Sequence, residues 1–492
     1  MIDSLKSWPA VFAHRPIPPH PARLPHKPSS WRRLMLARHN LLAMWEEEAF
    51  DLEFSEGRLL ARNVYVCNSP DSVRFAFSQN HSSFERKSAQ MRHALTPLLG
   101  DGLFVSDGET WRQRRRIVAP IAHISGMARF APIMVETAEE LSERWSQSAD
   151  GEIDVLAESA QLTAEIICRT IFGRELGRQH AAQVVQGFSA YQDAVGQLDI
   201  VSLLGLPDWI PRFHGYRVRR AIKRIHGVLD QIIESQRTIG TQSNEAMVRQ
   251  LLDARNEDGE RLGPEAVRNE AAVLFMAGHE TTANTLAWVW YLLAQSPDVA
   301  ARMHAELDDV VGSRSPCLDD VDRLVYMRAV IDETLRLYPP VPVLARECLT
   351  EERYEGYRIP RGSLVMVVPW LLHRHRKFWS EPDRFIPERF LAGSGEPVSK
   401  FAYVPFSIGP RICLGMSFAI VEAMLCLATL ARRFRLELRS GHNVEPVSRL
   451  TLRPGARLPM TIRMRPPRTN LSRPRILPTY RPVGPECPFG HE

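Results

Sequence analysis

Apolar residues recur at helical spacing along most of this chain. The pattern predicts helices over residues 126–145, 156–172, 218–237, 265–295, 297–311, 324–338 and 416–434. Strand-like runs are rarer and short: 50–54, 63–67, 354–359, 363–368, and brief stretches near 435–438 and 458–463. The segment 265–295 is very long for a globular helix. At ~1.5 Å per residue it spans roughly 45 Å, so it must cross the whole domain. The elements add up to a mainly α fold with a small β region, built around a long central helix. No internal repeat and no Gly/Ser linker divides the middle.

At both ends the periodicity gives way to proline. Of 36 prolines, seven fall in residues 1–28 and seven in 466–488. Such segments cannot form helices and are expected to be extended or disordered. The chain therefore divides into a Pro-rich N-terminal extension (1–30), one large domain (31–464) and a Pro-rich tail (465–492). Hydrophobic residues make up 44% and charged residues 24%, which places the chain among ordinary globular proteins. A net charge of +5 is thin over so large a surface and predicts no nucleic-acid partner. The apolar run 364–372 is short, and Pro369 interrupts it, so no transmembrane segment is expected. The N-terminus lacks the charged-then-apolar order of a signal peptide. Seven cysteines at long spacings, with no CxxC pair, argue against both a disulfide framework and a structural zinc site. These features describe a soluble, cytoplasmic protein.

One cysteine stands in an unusual setting. Phe406, Gly409, Arg411, Cys413 and Gly415 form the pattern F-x-x-G-x-R-x-C-x-G, which runs directly into an apolar helix. A helix N-terminus offers free N–H groups and a dipole that favour a thiolate. Gly409 permits a tight turn, Gly415 removes a side chain where a flat group can lie close, and Arg411 adds a fixed charge. This loop resembles the haem-binding loop of the cytochrome P-450 family, the haem-thiolate monooxygenases. The resemblance implies a P-450-type fold, haem b as cofactor, and Cys413 as axial ligand of the haem iron.

Three further stretches carry the same resemblance. Within the long helix, Ala277, Gly278, His279, Glu280, Thr281 and Thr282 interrupt an apolar run. Gly278 and two threonines are poor helix formers, so a local opening of the helix that holds water is expected here. The run is similar to the family's oxygen-activation motif, which implies that Thr281 bonds bound O2 and Glu280 relays protons. Ala277 is implied to lie against the haem; His279 is assigned no role. Glu333 and Arg336 share a helix face at i, i+3. The resemblance implies that Arg389, in Pro387–Phe390, completes a buried network with them that holds the cysteine loop. The basic run after Trp111 resembles the family's W-x-x-x-R pair. That implies haem-propionate contacts from Trp111 and Arg115, joined by Arg346 and Arg411, with Arg92 placed there by approximate position.

The implied reaction is insertion of one oxygen atom of O2 into a hydrophobic substrate, by hydroxylation or epoxidation. No flavin, nicotinamide or iron–sulfur fingerprint is present. Electrons from NAD(P)H are therefore expected through a separate ferredoxin or flavodoxin with its reductase. Arg112, Arg114 and Arg116 are expected to face solvent as its docking surface. The expected pocket walls are Leu103, Phe104, Phe275, Ala277 and Val341 to Leu344. A haem-thiolate protein that binds ligand or senses gas without monooxygenation is the other reading these residues allow.

Overall fold

The computed structural model describes residues 12, 15–148, 150–174, 183–184, 186–188, 190–191, 215–238, 246–256, 259–394, 399–448, 450–465 and 480–481. Helices dominate, and the seven expected from periodicity are present. The central one is Pro264–Gln295, a continuous α-helix of 32 residues. Pro264 fits its first turn, where a missing N–H costs nothing. From Val267 to Leu293 it is buried on nearly every side. Helices Val155–Phe172, Val325–Leu337 and Met416–Ala431 pack around it.

The expected opening at Gly278 is absent, since the helix runs through it unbroken. A Cβ at Gly278 would lie 2.9 Å from Ile167 Cδ1. The glycine is there for close approach of two helices, not for a gap in the hydrogen-bond ladder.

Three helices near the chain's start lie outside the stretches read from periodicity: Ser30–His39, Ala89–Leu99 and Gly108–Val118. Gly108–Val118 buries Trp111, Arg115, Ile117 and Val118. A buried arginine on the inner face breaks the apolar stripe that periodicity reads. Ala89–Leu99 contains Pro97.

The main sheet has five strands in the order Phe54–Leu59, Arg62–Cys67, Leu364–Val367, Leu344–Glu347, Arg86–Lys87. Only the Arg62–Cys67 and Leu364–Val367 pair is parallel. The strand expected at 50–54 lies further on. Phe50 ends a 3-10 turn in the core, and the strand Phe54–Leu59 is an edge that buries only Phe54. The run 354–359 is a hairpin, with Glu355 and Gly356 at positive φ between two short strands. A second sheet joins Glu152–Asp154, Pro459–Met464 and Phe434–Leu438.

A satellite core beneath the main sheet gathers Phe54, Tyr65, Phe77, Phe84 and Cys348 with Val404 and Ile408. The last two belong to the cysteine loop, so this small core seats the loop against the sheet. Residues 15–28 form no helix and lie on the domain. Arg15 is buried between Asp298 and Glu388, Arg23 grips Asp383, and Tyr338 donates to the Pro19 carbonyl. From the other end, Tyr480 donates to Asp332. Cys487 lies outside the described residues. Among the described residues no helix is long and apolar enough to cross a membrane.

Candidate active site

The loop before Met416 is shaped by its glycines and closed by its own backbone. Gly409 has φ +74, and a Cβ there would fall 1.9 Å from the Phe77 carbonyl oxygen, so no other residue fits. Ile412 N donates to Gly409 O, and Cys413 N donates to Phe406 O, both at 2.9 Å. Gly415 caps the helix Met416–Ala431. A Cβ on Gly415 would meet only Cys413 Sγ, at 3.9 Å, so the space beside the sulfur is open. The protein packed around it pushes the Cys413 thiol up although the residue is exposed to the open space beside its sulfur, while the Gly415 N–H, Arg115 and Lys87 act in the opposite direction. A coordinating metal removes a thiol proton outright.

Four cations gather around this cysteine. Arg115 is buried and donates to the Ile412 carbonyl at 2.9 Å. Arg411 donates to Ser106 O at 2.8 Å, and its guanidinium lies 4.4 Å from the Trp111 ring centre. Arg115 lies over the same ring at 5.7 Å, so Trp111 backs two of the cations. Arg346 is buried against the Phe77 ring. Lys87 lies over Phe104; sequence reasoning missed it, because a lone lysine in a two-residue strand has no pattern.

Burial, with Arg411 nearby, pushes Arg346 down to about 9. Burial pushes Arg411 down to about 10, although Glu85 and Asp107 resist. Lys87 is held well below its ordinary value by burial and then by Arg346 and Arg411. Arg346 Nη2 and Arg411 Nε are buried without a hydrogen-bond partner. Orphaned cationic donors beside a thiol fit a bound group carrying anionic arms. Haem, with two propionates and an iron atom, has that chemistry.

Other expectations resolve differently. Arg92 is held by Glu347 at 3.0 Å and by the Lys87 carbonyl. Arg114 does not face solvent. Its side chain is 11% exposed, pairs with Asp101 at 2.9 Å and lies 3.6 Å from the buried Glu270. Arg112 and Arg116 are exposed, but both pair with Glu109. The basic run is therefore partly neutralised and partly internal.

The structure brings Glu333, Arg336 and Arg389 together. Arg336 donates to both oxygens of Glu333, at 2.6 and 2.8 Å, and Arg389 Nε donates to Glu333 Oε1 at 3.1 Å. All three side chains are fully buried. His373, which no motif marked, connects this network to the loop. Its Nδ1–H faces the Arg336 carbonyl at 3.2 Å, and its Nε2 accepts from Val404 N at 2.9 Å.

On the central helix, Ala277 and Thr281 share a face at i, i+4 and stay accessible while most neighbours are buried. Thr281 Oγ1 donates to Ala277 O at 2.7 Å, and Thr285 Oγ1 donates to Thr281 O at 2.9 Å. Glu280 is drawn elsewhere, to Thr451 and Arg453. A cavity of about 360 Å³ opens between the first helix and the main sheet, lined by Trp45, Met91, Val341, Val343, Leu364 and Met366 among others. Of the expected walls it includes Val341 to Val343. Leu103, Phe104, Phe275 and Ala277 do not line it.

The cysteine loop, its cation cradle and the helical fold around a central helix fit the frame of a haem protein. The family model for cytochrome P-450 matches residues 53–459, and the chain belongs to that family: it is a cytochrome P-450 monooxygenase. It is similar to cyclooctatin synthase of Streptomyces melanosporofaciens, 30% identical over 87% of this chain and 92% of that protein. It is 31% identical to human cytochrome P-450 4V2 over 72% of each chain. The crystal structure of a P-450 haem domain superposes with TM-score 0.77 at 25% identity, covering 91% of this chain and 98% of that one. A retinoic acid-bound cyanobacterial relative gives 0.74 at 26% identity, covering 84% and 92%.

Proposed function

We propose that this enzyme inserts one oxygen atom of O2 into a C–H bond or double bond of a bulky, largely apolar substrate. Its electrons come from NAD(P)H through a separate ferredoxin- or flavodoxin-type protein. The observation that carries the reading is Cys413, accessible at a helix N-terminus amid Lys87, Arg115, Arg346 and Arg411. Haem bound there supplies the activation of O2. Cys413 Sγ would hold its iron, and Arg115 and Arg411, backed by Trp111, with Arg346, against Phe77, would bind its propionates. Phe406 and Gly415 flank the cysteine, and Ala277, accessible on the central helix, is the small residue proposed to lie against the haem.

Thr281 keeps its hydroxyl proton on the Ala277 carbonyl, poised for transfer, and Glu280 is the acid next to it. Glu333, Arg336 and Arg389 keep the loop in place through His373. The cavity beside Trp45 and Val343, with its largely apolar lining, is the entrance offered to an apolar substrate. Two relatives support a ring-bearing substrate: one is named a synthase of cyclooctatin, the other a 5-monooxygenase of cyclooctat-9-en-7-ol. Exposed Arg112 and Arg116 are the part of the basic run that an acidic electron donor reaches. The six described cysteines are unpaired thiols, which suits a reducing cytoplasm.

The test is spectroscopic. The reduced protein with carbon monoxide should show the red-shifted Soret band of thiolate ligation, and Cys413→Ala should abolish it. A histidine-type band in the unmodified protein would end this assignment.

A further inference from the structure

The run Gly100, Asp101, Gly102, Leu103, Phe104 joins the helices Ala89–Leu99 and Gly108–Val118. Its backbone lies directly on the central helix, and the glycines allow this. Gly100 has φ +54, and a Cβ there would fall 2.1 Å from Asn269 Nδ2. A Cβ on Gly102 would fall 2.8 Å from Val273 Cγ2. Both flanks of the loop have partners of their own. His226 faces the Leu98 carbonyl at 2.8 Å, and Arg411 donates to Ser106 O at 2.8 Å. In the middle, the Leu103 N–H donates to both oxygens of Glu270, at 3.0 and 3.2 Å. Arg114 Nε lies 3.6 Å from the same carboxylate. Arg114 Nη2 also donates to Asp101 at 2.9 Å, and Asn269 donates to Asp101 at 3.1 Å.

Glu270 is fully buried, and burial pushes its carboxyl up to about 7 against the Leu103 N–H and Arg114. An apolar side chain of similar volume would pack there at less cost. Packing therefore gives no reason for an acid, whereas a fixed acceptor for the Leu103 N–H does. Next in the chain is Phe104, whose ring lies under Lys87 at 4.3 Å. Lys87 is one of the four cations around Cys413, so Phe104 borders that cradle.

We propose that Glu270 is a positioning residue for substrate selection: by fixing the Leu103 amide it stations Phe104 as a rigid wall beside the cation cradle. The inference rests on the proposed monooxygenase reading, in which haem lies in that cradle. A wall held through its backbone keeps one shape, so a bulky apolar molecule binds without first ordering the loop. Arg114 ties this latch to the helix that also carries Trp111 and Arg115.

The experiment uses the full-length, haem-loaded enzyme. Glu270→Leu removes the acceptor and fills its space. Amide hydrogen exchange at residues 102–105 should quicken about tenfold, as expected for one lost buried hydrogen bond. Exchange in Ala89–Leu99 should stay as it was. Glu270→Gln keeps an acceptor oxygen at the same point and should restore most of the protection. Two azoles that ligate haem iron then read the wall by spectral titration. Imidazole should bind Glu270→Leu as it binds the unmodified enzyme. 4-Phenylimidazole, which adds a ring for Phe104 to meet, should bind about tenfold more weakly through lost preorganisation. Should Glu270→Leu fail to fold, Asp101→Ala loosens the same loop from its outer side, where the Asp101 side chain is 55% exposed. It should quicken exchange at the same amides. Unchanged exchange at residues 102–105, or equal weakening of both azoles, overturns the proposal. A histidine-type carbon monoxide spectrum would overturn the monooxygenase reading instead, and the exchange rates would still decide whether Glu270 holds the loop.

Discussion

At the scale of single residues, the core holds acids that sequence motifs give no reason to notice, and Glu422 is among the most enclosed. Glu422 is fully buried on the helix that follows Cys413. Burial holds its carboxyl well above the usual range, and only Thr282 on the central helix opposes this. The folded protein therefore keeps Glu422 protonated at pH values where the unfolded chain has released the proton. Stability from this group is fully present below the unfolded value and declines as pH rises toward the folded one, by at most ~1.4 kcal/mol per pH unit. Glu422→Gln keeps the shape and removes the titration. Its stability should gain on the unmodified enzyme as pH rises from the carboxyl value of the unfolded chain toward the raised folded one, as read by denaturant midpoints. Parallel profiles across that window would show that Glu422 is not the titrating group. The chemistry-bearing residues differ in how they could be found. Cys413 and Gly409 are legible because their partners are sequence neighbours. Lys87, His373 and Arg453 are not, because each acts on a group more than thirty residues away, and no local spacing records such a contact.

At the scale of elements, the long helix and its partners were legible because burial on a 3.6-residue period leaves a trace in sequence. Gly108–Val118 was not, since the arginine it buries toward Cys413 is the residue type that periodicity counts as exposed. Gly278 is a third case, in which composition marks the residue but not the contact that requires it. Its glycine lets Val155–Phe172 approach, with Ile167 filling the space a side chain would take. Gly278→Ala should therefore strain the crossing. Overpacking costs about 1–3 kcal/mol, offset by the ~1 kcal/mol that alanine gains over glycine in a helix. Ile167→Val removes the methyl nearest the new Cβ. The double variant should be more stable than the two single changes predict by about 1 kcal/mol. Thermal denaturation of all four proteins closes this cycle, and strict additivity would mean that the two helices do not meet at this pair.

At the scale of the whole molecule, the Pro-rich ends tie into the frame that holds the cysteine. Arg15 donates to Glu388 at 2.7 Å and pairs with Asp298 at 2.8 Å, its own side chain only 5% exposed. Glu388 is the neighbour of Arg389, which bonds Glu333. On the same helix Asp332 takes Tyr480 from the far end of the chain and Tyr403 from the stretch before the cysteine loop. Both chain ends thus converge on one buried framework. Sequence composition could mark these ends as extended but not as docked, because docking rests on single side chains. Burial works to raise the Glu388 carboxyl, yet Arg15, by hydrogen bond and charge, leaves it below its ordinary value. A carboxylate depressed in this way stabilises the fold above its unfolded value, and the contribution is lost as pH falls through the folded one. Arg15→Ala leaves a largely buried acid short of its main partner, which should cost about 3 kcal/mol at pH 7. The deficit should shrink as the pH is lowered past the point where Glu388 takes up its proton. Because the strain falls next to Arg389, haem transfer to an acceptor protein should quicken along with the loss of stability. A variant that loses stability equally at pH 7 and in acid would trace the effect to packing of the Arg15 side chain. Unchanged haem transfer would separate the N-terminal clasp from the framework beneath Cys413.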